Sequence, residues 1–465
     1  MSIQVILVLY LLVIAGIGVY AAKFNKNMSD FLLAGRRLGL AMCAFTLAAT
    51  HFGGGFVLGM GEGGYGQGYV QWWFGIGGGL GLILVGFLAP KMRELAFYTV
   101  PDYLEHRYGS RTLSLLGASF SLFSCIGILA AQIVATRGAL SIIGITPLAG
   151  TIIASLIFII YTAFGGLWAA TLTDFVQIIV AAVGVVLAFI ISLRSAGGWS
   201  VIVEKVSNIP DLPAGYFNIF GTFDWTLIAG LFLPILLMCL IDQSTYQRFL
   251  SAKTPKIAQQ SCTIAGIFIL VFTIFPTASG IIAKSINPNL ENASEAIPFL
   301  ISDVFPAAVA GLFIAAIIAA IMSTADSILT AATSHITNDF YVKSLKMKGK
   351  EEDPKKLLFL SRFWVVVVGV VSIFMALVIP GIINLLMISY TIFTAGVFMP
   401  VVGGFLWKKG TIQGAFSSIA VASIMVFLSY FNVIAPPIPV EVIGILTAFV
   451  VYVIVSLATY KPQEV

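Results

Sequence analysis

The sequence predicts an all-α polytopic membrane protein, and three observations predict it. Hydrophobic residues make up 59% of the 465 residues and charged residues only 10%, whereas soluble domains run near about 45–50% and about 25%. Apolar runs of about twenty residues, each long enough to cross a bilayer, recur along the whole chain. The charges collect in the loops between these runs, so a net charge of +5 describes membrane-flanking loops and implies no nucleic-acid partner. A β-barrel would show short alternating segments instead of long apolar runs.

Taken in order, the runs predict thirteen spans, at 2–22, 40–65, 68–90, 112–143, 147–165, 168–193, 224–242, 257–284, 299–336, 359–379, 382–406, 411–431 and 440–459. The first run has no basic residue before it and no small-residue cleavage site, so it reads as a retained helix and not as a signal peptide. With the N-terminus outside, the inner loops hold 21 of the 25 lysines and arginines, Arg248 among them. Arg194, Lys205 and Lys284 fall outside, and Arg137 lies within a span. That bias sets the orientation expected for a multi-pass cell-membrane protein with a cytoplasmic C-terminus. Cys43, Cys125, Cys239 and Cys262 all lie in apolar runs and suggest neither a disulfide framework nor a zinc site. The longest loops, 194–223 and 337–358, are too short for a separate soluble domain.

The second span contains "AATHFGGGFVLG" (48–59), where Gly53, Gly54 and Gly55 are poor residues for a helix interior. A broken helix is one reading, because irregular backbone at membrane depth survives where it is buried in protein or lines a cavity. Transporters use such breaks to present carbonyls to a cation. Close helix packing through small residues is the other. "GMGEGG" (59–64) matches a dinucleotide-binding pattern, but no strand precedes it.

Polar residues gather at one level elsewhere. In "AAIIAAIMSTADSILTAATS" (315–334), Ser323, Thr324, Ser327, Thr330 and Ser334 share one side of a helix, with Asp326 among them. Hydroxyls with a carboxylate offer hard oxygen ligands. Helix–helix hydrogen bonding accounts for the hydroxyls but poorly for Asp326, since a charge at mid-span costs roughly 2.5–3.5 kcal/mol. Asp174, in "FGGLWAATLTDFVQ" (164–177), reads either as an interfacial carboxylate or as part of an ion site. Glu62 lies beyond the break. Arg137 near the outer end of its span is expected to snorkel. His51, beside the break, reads as pocket lining or as a packing histidine.

Several stretches together resemble the sodium:solute symporter family: "SDFLLAGRRLG" (29–39), "GMGEGGY" (59–65), "TVPDYLEHRYG" (99–109), "YTAFGGLWAATLTDFVQ" (161–177), "DQSTYQRFLSA" (242–252), "AAIMSTADSIL" (319–329) and "FLWKKGT" (405–411), in family order. The resemblance implies a LeuT-type inverted repeat of five plus five helices over 40–406. An extra helix and inner loop (1–39) precede it and two helices (407–465) follow. It implies co-transport of sodium with a small organic solute by alternating access across the lipid bilayer. Carried over position by position, it puts sodium on the carbonyls of Ala49, Phe52 and Ala320 and the hydroxyls of Ser323 and Thr324. A second sodium position maps to Asp174, Asp326 and Ser327, although the family version has serines where Asp326 and Ser327 stand. Pocket positions by analogy are His51, Phe56, Gln71, Gln132 and Tyr390. The motifs are similar to both choline-type and pantothenate-type members. A cationic solute would favour Glu62 with Trp72 and Trp73, and a carboxylate would favour Arg137.

Competing readings are a proton-coupled transporter and a channel or sensor on the same helices. A channel needs a continuous polar pore, whereas this chain concentrates its polarity at one level. A major-facilitator transporter would show twelve spans and a long basic central loop. An enzyme would need a tighter constellation than His51, His106 and His335 provide.

Overall fold

The computed structural model describes residues 3–461 apart from 25, 96, 380, 381, 432 and 437. The described residues form helices with a single isolated β-bridge, Leu38 to Ala252. The principal helices are α1 (Ile3–Ala21), α2 (Leu40–His51), α3 (Met60–Gln67), α4 (Trp72–Glu94), α5 (Val100–Tyr108) and α6 (Arg111–Ser141). After them come α7 (Pro147–Ser195), α8 (Trp225–Cys239), α9 (Gln243–Leu250), α10 (Pro255–Phe272), α11 (Ile274–Ile286) and α12 (Ala307–Ser334). The chain ends with α13 (Pro354–Val378), α14 (Ile382–Phe398), α15 (Ile412–Tyr430) and α16 (Val440–Thr459). Among the described residues, ten helical stretches are long and apolar enough to cross a membrane, and Val5–Gly18 and Leu40–His51 are shorter apolar helices. The expected count of thirteen is not reached on length and composition, in part because the second span is interrupted.

Sequence-local chemistry starts many of these helices. Proline occupies the first turn of α7, α10 and α13, where its missing N–H costs nothing. Asp224, Ser110, Thr254 and Asp353 accept backbone amides at the starts of α8, α6, α10 and α13. The long helix α7 spans the runs at 147–165 and 168–193 and kinks between them at Gly166, with φ +52°. A Cβ there would lie 2.5 Å from the Phe31 ring and 2.8 Å from its carbonyl, so backbone angle and space both require glycine.

The helix α12 is the axis of the molecule. It packs against α7, α6, α1 and α2, and 94% of its most apolar window is buried. Around it, α4 packs on α10, α6 on α14, and α15 on α16.

The second span is broken, as one of its two readings had it, and a second break follows the run at 224–242. The second span stops at His51, where Phe52 has φ −81° and ψ 56°, and resumes as a π turn, Gly55–Gly59. The glycines are not the distorted residues: none has positive φ, and Gly54 is ordinarily helical. They make room instead. A Cβ on Gly53 would overlap the Thr324 hydroxyl, and one on Gly54 would lie 2.7 Å from the Ala135 methyl. Unwinding and close packing, opposed as readings of the sequence, occur together. The helix of the run at 224–242 ends at Cys239, and the chain restarts as a further helix just beyond that run, at Gln243. On the side of the basic loops the two broken helices are tied by reciprocal backbone bonds: Leu38 donates to Ser251 O (3.0 Å) and Lys253 to Leu38 O (2.9 Å).

The glycines of "GMGEGG" serve helix packing. A Cβ on Gly280 of α11 would fall on the Gly61 carbonyl, and one on Gly64 on the Thr277 carbonyl. Because the obstruction is backbone, Gly280→Ala is expected to destabilise the protein by about 1–3 kcal/mol. A lowered thermal unfolding midpoint in detergent checks this, with half-buried Gly66→Ala, where a Cβ meets open space, as the neutral comparison.

Candidate functional site

The break in the second span releases three carbonyls from their helical partners. The amide of Gly53 bonds His51 O rather than Ala49 O, and that of Gly54 bonds Gln132 Oε1 (3.0 Å) rather than Thr50 O. The amide of Phe56 bonds Gly53 O rather than Phe52 O. Bare carbonyls inside a membrane protein need a partner, and α12 supplies hydroxyls opposite them. The Ser323 hydroxyl stands 2.8 Å from both Ala49 O and Ala320 O. The Thr324 hydroxyl donates to Thr50 O (2.8 Å), with Ala320 O at 3.3 Å. Thr50 thus supplies the carbonyl nearest Thr324, where the resemblance points to Phe52. Among the described residues no group of three His, Cys, Asp or Glu side chains could hold a metal ion. Neutral oxygens around Ser323 suit a hard monovalent cation and not a transition metal.

One helical turn away lies a buried charge cluster. Asp174 is fully buried, which removes the reading of it as an interfacial carboxylate. Its Oδ2 accepts the Thr46 hydroxyl and pairs with Arg248 Nη2 at 3.6 Å. Arg248, expected in an inner loop, is also fully buried. It lies on α9, whose start is the second break, so the break draws it into the bundle. Its guanidinium donates to the Ser327 hydroxyl and to Ser244 O (3.1 Å). Ser327 is also 3.1 Å from Asp326 Oδ1 and from the Thr50 hydroxyl. Asp174, Asp326 and Ser327 are therefore brought together, but around a permanent side-chain cation.

Beside both groups is a small enclosed cavity between the two breaks. His51, Phe56, Gln132 and Tyr390 line it, with Thr324 at its edge. His51 Nε2 is 2.7 Å from the Thr245 hydroxyl, and that hydroxyl donates to Asp242 Oδ2 (2.8 Å). Because the hydroxyl's one proton goes to the carboxylate, Nε2 must carry the imidazole proton. Phe56 packs on Phe74 with centroids 5.0 Å apart.

Gln71 does not line this cavity. It is buried against Gly63, where a Cβ would overlap its amide. Glu62 and Arg137 are not among the lining residues either. Trp72 bonds Thr273 (3.2 Å) and Trp73 bonds Ile219 O (2.8 Å). Trp72 faces a separate, larger cavity beneath the 207–219 loop. Asp242 and Ser244 do line the small cavity, and sequence reasoning missed both. The signal was available: a polar run, "DQST", closing an apolar span.

A family model described as "Sodium:solute symporter family" matches residues 31–422. The chain belongs to the sodium:solute symporter family. It is a sodium-coupled solute transporter of the membrane and not an enzyme. A high-affinity choline transporter of Drosophila melanogaster is 29% identical over 82% of this chain, which spans 62% of that relative. A sodium/proline symporter of Staphylococcus aureus is 28% identical over 98% of this chain and 92% of its own length. Among solved structures, a Na+-coupled sialic acid symporter in a substrate-bound outward-open state matches with TM-score 0.85 and 23% identity, covering 100% of this chain and 99% of that one. The nucleobase-cation-symport-1 family transporter Mhp1 matches with TM-score 0.63 and 13% identity over 93% and 94%. The fold of this symporter is accordingly that of the LeuT-type transporters.

The Arg248–Asp174 pair generates a stability prediction. Removing one member of a buried pair costs about 3–5 kcal/mol, because the other charge is left uncompensated. Asp174→Asn is therefore expected to lower the thermal midpoint sharply. The double substitution Asp174→Asn with Arg248→Met is expected to recover part of the loss.

Proposed function

We propose that this symporter binds one sodium ion per cycle between the broken second span and α12, and a small organic solute in the adjoining enclosed cavity. The observation that carries the sodium reading is the Ser323 hydroxyl, 2.8 Å from the carbonyls of both Ala49 and Ala320. Those oxygens belong to two helices, so an ion shared between them would couple the broken helix to the bundle axis. Phe52 O, freed of its helical amide, and the Thr324 hydroxyl complete the proposed shell. A second sodium at Asp174, Asp326 and Ser327 is not supported, because Arg248 already places a cation against Asp174 and Ser327.

The solute would contact His51, Phe56, Gln132 and Tyr390, all of which line the cavity. Gln132 links solute and ion sites, since its Oε1 holds the Gly54 amide just after the break. The basic loops support an orientation with the N-terminus outside and the C-terminus in the cytoplasm, in the cell membrane.

Binding of radiolabelled sodium to purified protein tests the site without a known solute. A hyperbolic one-site isotherm that potassium and protons do not displace is expected. Replacing Ser323 and Thr324 together by alanine removes two ligands, each worth roughly 1.5–3 kcal/mol, so sodium affinity should fall at least about tenfold. An unchanged affinity in a folded variant would remove the site, and a sigmoidal wild-type isotherm would restore the second ion.

A further inference from the structure

We infer that the transported solute carries a positively charged nitrogen and that Asp242 is the residue that selects it. This rests on the reading of the enclosed cavity as the solute site. Asp242 is only 2% exposed and lines that cavity, at the second helix break. Its two oxygens have different duties. Oδ2 accepts the Thr245 amide (2.8 Å), the Thr245 hydroxyl (2.8 Å) and the Ser244 hydroxyl. Those bonds cap α9 and hold the carboxylate still. Among the described residues, Oδ1 takes no hydrogen bond. A helix cap explains Oδ2 and leaves Oδ1 unexplained. Asp242 lines the cavity, and the cavity is where a partner for Oδ1 would enter.

The charges around the cavity point the same way. No lysine or arginine lines it. His51 is held with its proton on Nε2 by the Thr245 hydroxyl, so its other ring nitrogen has no proton to give an anion. Within this level of the bundle the buried guanidinium of Arg248 pairs with Asp174 at 3.6 Å, so it is engaged away from the cavity that Asp242 lines. An anionic solute would set a second negative charge against Asp242 at membrane depth, where charge is expensive. The Phe56 and Tyr390 rings give a cation two aromatic surfaces. A zwitterion also fits, with its ammonium on Oδ1.

The test uses purified full-length protein in saturating sodium, with thermal stabilisation as the readout. The probes are choline, ethanolamine, proline and pantothenate, which present a quaternary ammonium, a primary ammonium, a zwitterion and a carboxylate. At least one nitrogen cation is expected to stabilise the wild type, and pantothenate is not. Asp242→Asn keeps a side-chain oxygen for the cap and removes the charge, so apparent affinity for that probe should drop at least about tenfold. Stabilisation by pantothenate alone, by none of the four, or by a cation equally well in Asp242→Asn would overturn the inference. Should the variant fold poorly, the wild-type ranking still decides. Sodium binding in the same preparation reports on the ion site alone, so loss of that reading is distinguishable from loss of this one.

Discussion

Everything at the centre of this protein depends on one constraint: backbone polar groups inside a membrane must be satisfied within the protein. Breaking a helix at Phe52 frees carbonyls that lipid cannot accommodate. The structure answers with hydroxyls on the most deeply buried helix. Ser323 and Thr324 meet the carbonyls of Ala49 and Thr50 at 2.8 Å. The same oxygens that repair the break are the ones we propose as a cradle for a hard cation. On that proposal, stability of the broken helix and affinity for sodium are two uses of one arrangement, and an ion that enters would replace hydrogen bonds already in place.

The three glycines follow from that arrangement. Thr324 can reach the Thr50 carbonyl because Gly53 presents no side chain to it, and Gly54 lets α6 approach closely enough for Gln132 to take a backbone amide. Small residues thus set the distance between helices, and that distance sets which oxygens converge. The same logic, without any ion, holds α3 against α11 through Gly61, Gly64 and Gly280.

Charge is organised around the second break. Arg248 is carried inward by α9 and spends its guanidinium on Asp174, Ser327 and Ser244 O. It ties α9 to α7 and α12 at the level of the sodium cradle. Asp242, at the start of the same short helix, uses one oxygen to cap it and lines the cavity. The relay from His51 through Thr245 to Asp242 joins the two breaks. A movement of either broken helix would disturb both the proposed ion site and the proposed solute site.

Much of the fold was legible in the sequence, because long apolar runs, proline-led helix starts and basic loops are local signals. The interruption at 48–59 showed itself through glycine content, and the hydroxyl row of α12 through helical periodicity. The second interruption did not. "LIDQSTYQRF" (240–249) reads equally well as the polar end of a span leading into a basic loop. Only packing reveals that α9 turns back into the bundle and buries Arg248 and Asp242. Asp174 was ambiguous for the same reason: whether a carboxylate meets water or a guanidinium depends on a residue 74 positions away. Sequence by itself determined that the chain spans the membrane as helices and which one carries the row of hydroxyls that meets the broken span. Tertiary structure decided which carboxylates share a partner, which glycines serve distance and not bending, and which side chains reach the cavity. Those outcomes are set by contacts between helices, which no local pattern records.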